Sequence, residues 1–198
     1  MKKLLALILA LVMCIGLFAG CNNQPDPTDA PTDAPTDPPV VLPASSLEIL
    51  EKVWAEYGED EKFPVMGGNI EDVVDNAPGN CNMEYAENLN FNLVVPADQI
   101  ANVTEAATMI HMMNANTFTG GVVKLAEGVD AAAFATAMRD AIQGNMWMCG
   151  FPDKLMVATI GDTYVVIAFG VNDAMNPFQE KLTSVYPEAV IAYDEAVA

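Results

Sequence analysis

The chain has 198 residues, with 8 Lys and Arg against 27 Asp and Glu for a formal net charge of −19, and hydrophobic residues make up 52% of it. A surface so acidic repels phosphates and anionic lipid headgroups, which argues against nucleic acid as a partner and against an electrostatic grip on a bilayer. It suits cations, basic partners or simple solubility.

At the N-terminus, Lys2 and Lys3 form a short positive region, and Leu4 to Phe18 form an apolar run of the length of a signal-peptide core. The run is too short to span a bilayer, which takes roughly 20 apolar residues. It ends at Ala19-Gly20-Cys21 before the polar Asn22, Asn23 and Gln24. Phe18-Ala19-Gly20-Cys21 resembles the lipobox of bacterial lipoproteins, with Phe in a slot more often held by Leu. That resemblance implies cleavage after Gly20 and acylation of Cys21. The mature chain would then be held at the extracytoplasmic face of the cell membrane, with the lipid bilayer as its first partner. Two acyl chains give stable anchoring, at about 0.8 kcal/mol per buried CH₂. Loss of Lys2 and Lys3 leaves 6 basic residues against 27 acidic, a net −21.

A Pro-Thr-Asp-Ala unit repeats from Pro27, Pro31 and Pro35 and runs into Pro38-Pro39. Proline removes backbone donors, and nothing apolar is available to bury. Residues 21–43 therefore read as a lipidated Cys followed by an extended, disordered stalk, and residues 44–198 as a single domain.

Within the domain, Ser45-Ser46-Leu47-Glu48 has the spacing of a capping box. Leu47, Leu50, Val53, Trp54 and Tyr57 share one helical face, and Gly58 offers a stop. Residues 58–82 read as irregular, with turn signals at Gly67-Gly68 and Pro78-Gly79-Asn80. Asn90 to Val95 leans towards strand, Pro96-Ala97-Asp98 opens a helical turn, and Ala106 to Met113 suits strand or helix. Asn114 to Thr117 makes a turn before a strand over 118–125. Ala131, Phe134, Ala135, Met138 and Ile142 define a second long helix that Gly144 closes. Runs 155–160 and 163–169 form a hairpin about Gly161-Asp162, and a last helix covers 172–185 with Phe178 and Leu182 inward. Strand, strand, helix thus occurs twice. The expected fold is two-layer α+β, a mainly antiparallel sheet with helices on one face.

Met112-Met113-Asn114, Gly121-Val122-Val123-Lys124-Leu125, Met146-Trp147-Met148-Cys149 and Gly161-Asp162-Thr163-Tyr164-Val165-Val166-Ile167 resemble a group of uncharacterised lipoprotein domains of Gram-positive bacteria, over about residues 112–182. Some relatives in that group carry the label "bacteriocin transport accessory protein". The resemblance implies extracytoplasmic location and a partner in peptide export; it implies no mechanism.

Candidates for chemistry are few. His111 is the only histidine, so any nucleophile–histidine catalysis passes through it, yet no nucleophile, phosphate-loop or metalloprotease motif surrounds it. Cys81 and Cys149 are the only thiols besides Cys21 in the mature chain. They allow either a structural disulfide or two buried free thiols, and their spacing is unlike a thioredoxin motif. Met109, His111, Met112, Met113, Met146, Met148 and Cys149 are donor types that take Cu(I), and Met is equally a flexible core filler. Met146 and Met148 would point the same way from an extended segment. Glu59, Asp60 and Glu61 with Glu71, Asp72 and Asp75 offer carboxylates to calcium without a loop that curls around it, so solvated charge is preferred. No cofactor is implied. The expected function is a tethered, non-enzymatic binding or accessory module for a membrane or cell-wall protein, with Cu(I) binding, a role in peptide export and catalysis by His111 as alternatives.

Overall fold

The computed structural model describes residues 42–198. The expected signal peptide, Cys21 with its expected lipidation, and the expected stalk up to residue 41 lie outside the described residues. Those described contain no helix long and apolar enough to cross a membrane.

The first helix, α1 (Ser46–Ala55), starts where Ser45 Oγ accepts from Glu48 N at 3.1 Å. The Glu48 carboxylate closes back onto Ala44 N rather than onto the capping residue itself. Ile49, Leu50, Val53 and Trp54 are buried, and the helix ends before Gly58, which opens the following turn. Residues 58–82 are less irregular than their turn residues suggest. Three short strands form there: β1 (Val65–Gly67), β2 (Val74–Asp75) and β3 (Gly79–Asn80). The backbones at Gly67 and Gly79 pass so close that a Cβ on Gly67 would sit 2.0 Å from Gly79 N, a contact only glycine permits.

A second helix, α2 (Asn88–Leu93), replaces the expected β-leaning piece at 90–95. Leu89 and Leu93 are one helical turn apart and both buried, and Val94, at φ +59°, ends the helix. Asn90 Nδ2 donates to Val95 O across that end. A 3₁₀ turn at 100–102 leads into β4 (Val103–His111) and then β5 (Phe118–Leu125), so Ala106 to Met113 is strand up to His111. The third helix, α3 (Ala131–Gln143), begins on Asp130, whose carboxylate accepts from Ala132 N and Ala133 N, and ends at Gly144. Next come β6 (Lys154–Ile160) and β7 (Tyr164–Gly170), joined by three residues rather than two, because Thr163 turns aside and its carbonyl takes Leu125 N. The fourth helix, α4 (Asn172–Val185), buries Phe178 and Leu182, and a strand absent from the sequence reading, β8 (Val190–Ala196), completes the fold.

The fold is α+β, with one eight-stranded antiparallel sheet in the order β2-β1-β4-β5-β7-β6-β8 and β3 beside β4. The helices do not keep to one face, and the two-layer expectation is corrected here. Along β7, Tyr164, Val166 and Ala168 meet α1 and α4, while Val165, Ile167 and Phe169 meet α2 and α3. Alternate side chains of a strand leave opposite faces, so every residue of β7 is buried and the sheet is covered on both sides.

The strand directions sort the molecule into two ends. At one end lie the β6–β7 hairpin, the start of α3 and the point where the chain enters: Tyr164 Oη donates to Pro43 O, and Leu42 lies against Gly161. At the other end lie His111, the β4–β5 turn and the segment between α3 and β6. The nine residues of β4 separate the two by roughly 30 Å.

Candidate functional site

A groove of 450 Å³ opens at the end remote from the chain's entry. One wall is the β4–β5 connection with Met112 and Met113, the other is the α3–β6 connection with Met146, Met148 and Cys149, and Phe91, Val94 and Met66 close its third side. A second hollow beside Ile70 and Val73 shares Met66, Asn92 and Ile110 with it and prolongs the apolar surface.

Local chemistry explains how these loops are held. Asn114 Oδ1 accepts from Asn116 N, and Thr117 N donates to Asn114 O, which makes the tight turn that the Asn residues suggested. Across the groove, Asn116 Nδ2 donates to Met148 O at 2.7 Å and to Gly150 O at 2.9 Å, and Asn114 Nδ2 reaches Cys149 O at 3.3 Å. The two sulfur-bearing segments are therefore tied to one another by backbone-directed asparagines. Cys149 takes a left-handed conformation, φ +63°, and is followed by Gly150 at φ +123°, so the second segment bends sharply just past its sulfur donors.

Methionine placement separates two uses of the residue. Met109, Met138, Met156 and Met175 are fully buried fillers, and Met109 thereby leaves the candidate donor set. Met113, Met146 and Met148 are 81%, 91% and 81% exposed, and Phe91 beside them is 80% exposed. Met146 and Met148 both line the groove, and Trp147 between them packs its ring on Phe169, ring centroids 5.0 Å apart. Exposed Phe91 and Ile70 were not among the sequence candidates; the i, i+4 pair Leu89 and Leu93 was the signal, because a helix that buries both must turn Phe91 outward.

His111 belongs to the groove's frame. Its Nδ1 accepts from Met113 N at 3.2 Å and Asn114 N at 3.3 Å, and its ring stacks on Phe63 at 5.7 Å. Two amide donors aimed at Nδ1 place the neutral ring's proton on Nε2. Among the described residues no hydrogen bond joins His111 to Cys149 or to a carboxylate, the arrangement that nucleophile–histidine chemistry requires.

Cys81 and Cys149 are both free, and only one is buried. The disulfide reading is corrected accordingly, and so is the pair of buried thiols. Burial pushes the Cys81 thiol up to about 11, against a hydrogen bond with Thr108 that lowers it. The acidic residues are dispersed: Glu59 pairs with Lys62, Glu61 with Lys181, Glu71 accepts from Asn88 and Asp72 from Asn82. Among the described residues no three His, Cys, Asp or Glu gather as a metal group, so calcium has no cage here.

The larger hollow, 870 Å³, lies at the chain-entry end between the hairpin and the start of α3. Its lining is mostly polar or small, and Asp130 already occupies the helix's free amides. No family model matches the chain, and no curated protein or solved structure is significantly similar to it.

Proposed function

We propose that the protein is a lipid-anchored, extracytoplasmic binding module without catalytic activity, and that it holds its ligand in the groove between the Met112–Asn116 turn and the Asn145–Gly150 segment. One observation carries the reading: large apolar side chains stand exposed around a cavity whose two walls are braced by Asn114 and Asn116. Exposed apolar surface gathered in a groove marks interaction sites, whereas scattered exposed residues do not. The lipobox-like Phe18 to Cys21 supports the anchor. The chain's entry at the opposite end of the sheet leaves the groove clear of the tether's attachment. Methionine-lined grooves adapt to varied apolar partners, which also favours a second reading, capture of a peptide during its export.

The test uses the full chain with Cys21→Ala, which should be released to the medium instead of fractionating with membranes. Titrated with the neutral probe N-phenyl-1-naphthylamine, this chain should show saturable fluorescence enhancement, weakened about tenfold by Phe91→Asp with Met146→Asp, a loss of about 1.4 kcal/mol or more. Unaltered probe binding in that variant would remove the groove as the binding site.

A further inference from the structure

The groove's lining differs from the rest of the molecule in kind. The chain holds 27 acidic residues, yet no Asp, Glu, Lys or Arg lines the groove, while Met66, Met112, Met113, Met146, Met148 and Cys149 all do. Hard cations such as calcium, magnesium and manganese need oxygen donors, and the groove offers no carboxylate to bind them. Soft monovalent cations take thioether and thiolate sulfur. From this chemistry we infer that the groove is a sulfur-only site for a soft monovalent cation, Cu(I) or Ag(I), with donors drawn from Met112, Met113, Met146, Met148 and Cys149. The inference rests on the groove being the binding surface proposed above and names the class of its ligand.

Three features carry it. The donors stand on two segments that Asn114 and Asn116 clasp together at 2.7–3.3 Å, so sulfur-bearing residues from both segments line one cavity. The exposed methionines have the rotational freedom to close around an ion; the fully buried Met109, Met138, Met156 and Met175 do not. The surrounding acidic surface raises the local concentration of any cation without supplying ligands that would favour a hard one. His111 is not part of the donor set, although it lines the cavity. To bind a metal through Nε2 it must carry its proton on Nδ1, where Met113 N and Asn114 N already point their hydrogens. It orders the turn that presents Met112 and Met113, and so is a positioning residue.

Cu(I) added anaerobically under reducing conditions to the full Cys21→Ala chain should be withheld from a competing chelator of micromolar affinity. With Ag(I), the methyl resonances of ¹³C-methyl-labelled Met112, Met113, Met146 and Met148 should shift, while those of Met109, Met138, Met156 and Met175 stay in place. Replacing Met146 and Met148 with Leu keeps the groove apolar and removes two sulfurs. Cu(I) affinity should then fall about tenfold or more, since losing even an outer-shell partner of a metal ligand costs roughly 10–100-fold. Failure of the wild-type chain to compete with the chelator overturns the inference and leaves the binding groove standing, as does full Cu(I) affinity in the double Leu variant. Loss of probe binding in the Phe91 and Met146 variant tests the groove itself, independently of the metal.

Discussion

The two ends of the sheet have opposite relations to solvent. At the chain-entry end the hollow is almost twice as large, 870 Å³ against 450 Å³, and its lining is mostly polar or small, with Asp130 capping α3, Thr104 Oγ1 donating to Lys124 O and Thr163 O taking Leu125 N. At the groove end the hydrogen bonds of Asn114 and Asn116 go to holding loops in place, and the side chains those loops carry are left unpartnered. Cavity size therefore says little about binding in this molecule. What distinguishes the groove is the set of large apolar side chains it leaves exposed.

The contrast is easiest to break in α2, beside the groove. Leu93 is fully buried beneath the exposed Phe91 and lies so close to β5 that a Cβ on Gly121 would sit 2.4 Å from Leu93 Cδ2. Leu93→Ala should lower stability by about 2–5 kcal/mol, read by urea denaturation, through lost burial and the cavity left behind. Phe91→Ala, two residues away, should stay within about 0.5 kcal/mol of the parent because its side chain is mostly in water. Equal losses at the two positions would mean that α2 does not present its residues as described.

The two thiols sharpen the same contrast. Iodoacetamide should modify Cys149 in the native protein and leave Cys81, which is buried with a thiol raised to about 11. A raised thiol favours the neutral form in the fold. Its contribution is whole below pH 9, the unfolded value, and is lost as pH rises towards 11. Stability should fall by about 1.4 kcal/mol per pH unit in that window. Tyr186, which burial holds up to about 12, adds its own loss only above pH 10, so the first unit belongs to Cys81. A Cys81→Ala variant whose stability against pH has the same slope between 9 and 10 would overturn this assignment.

Much of the fold was legible because local signals and tertiary packing agreed. The strand 118–125, the turn 114–117 and the helices α3 and α4 form where periodicity and turn residues place them. Elsewhere one pattern served two structures. Asn88-Leu-Asn-Phe-Asn-Leu93 alternates polar and apolar as a strand does, and also spaces Leu89 and Leu93 as a helix does; burial of that pair decided for helix. The unbroken apolar run of β7 carried the sign of a strand buried on both faces, which one-sided packing of the helices overlooks. β8 alternates weakly and carries Asp194 and Glu195, so it reads as loop until Lys154 and Arg139 pair with those carboxylates across β6 and α3. Of the candidate site, the donor residues were legible by type, but composition could not separate Met109 in the core from Met113 in solvent. That depends on which loops the sheet brings together.

The smallest expected effects divide the two ends most cleanly. Asp130→Ala leaves the amides of Ala132 and Ala133 without their carboxylate, and loss of such a cap costs about 1 kcal/mol. Met113→Ser and Met148→Ser at the other end remove side chains that are each 81% exposed, so thermal unfolding should place them within about 0.5 kcal/mol of the parent. Both serine variants should nevertheless weaken probe binding in the groove, whereas Asp130→Ala should leave it unchanged. A residue that stabilises the fold and a residue kept exposed for a ligand are then told apart by two measurements on the same variants. If either serine variant lost as much stability as Asp130→Ala, its methionine would be packing against the fold, and its place among the groove's unpartnered side chains would be lost.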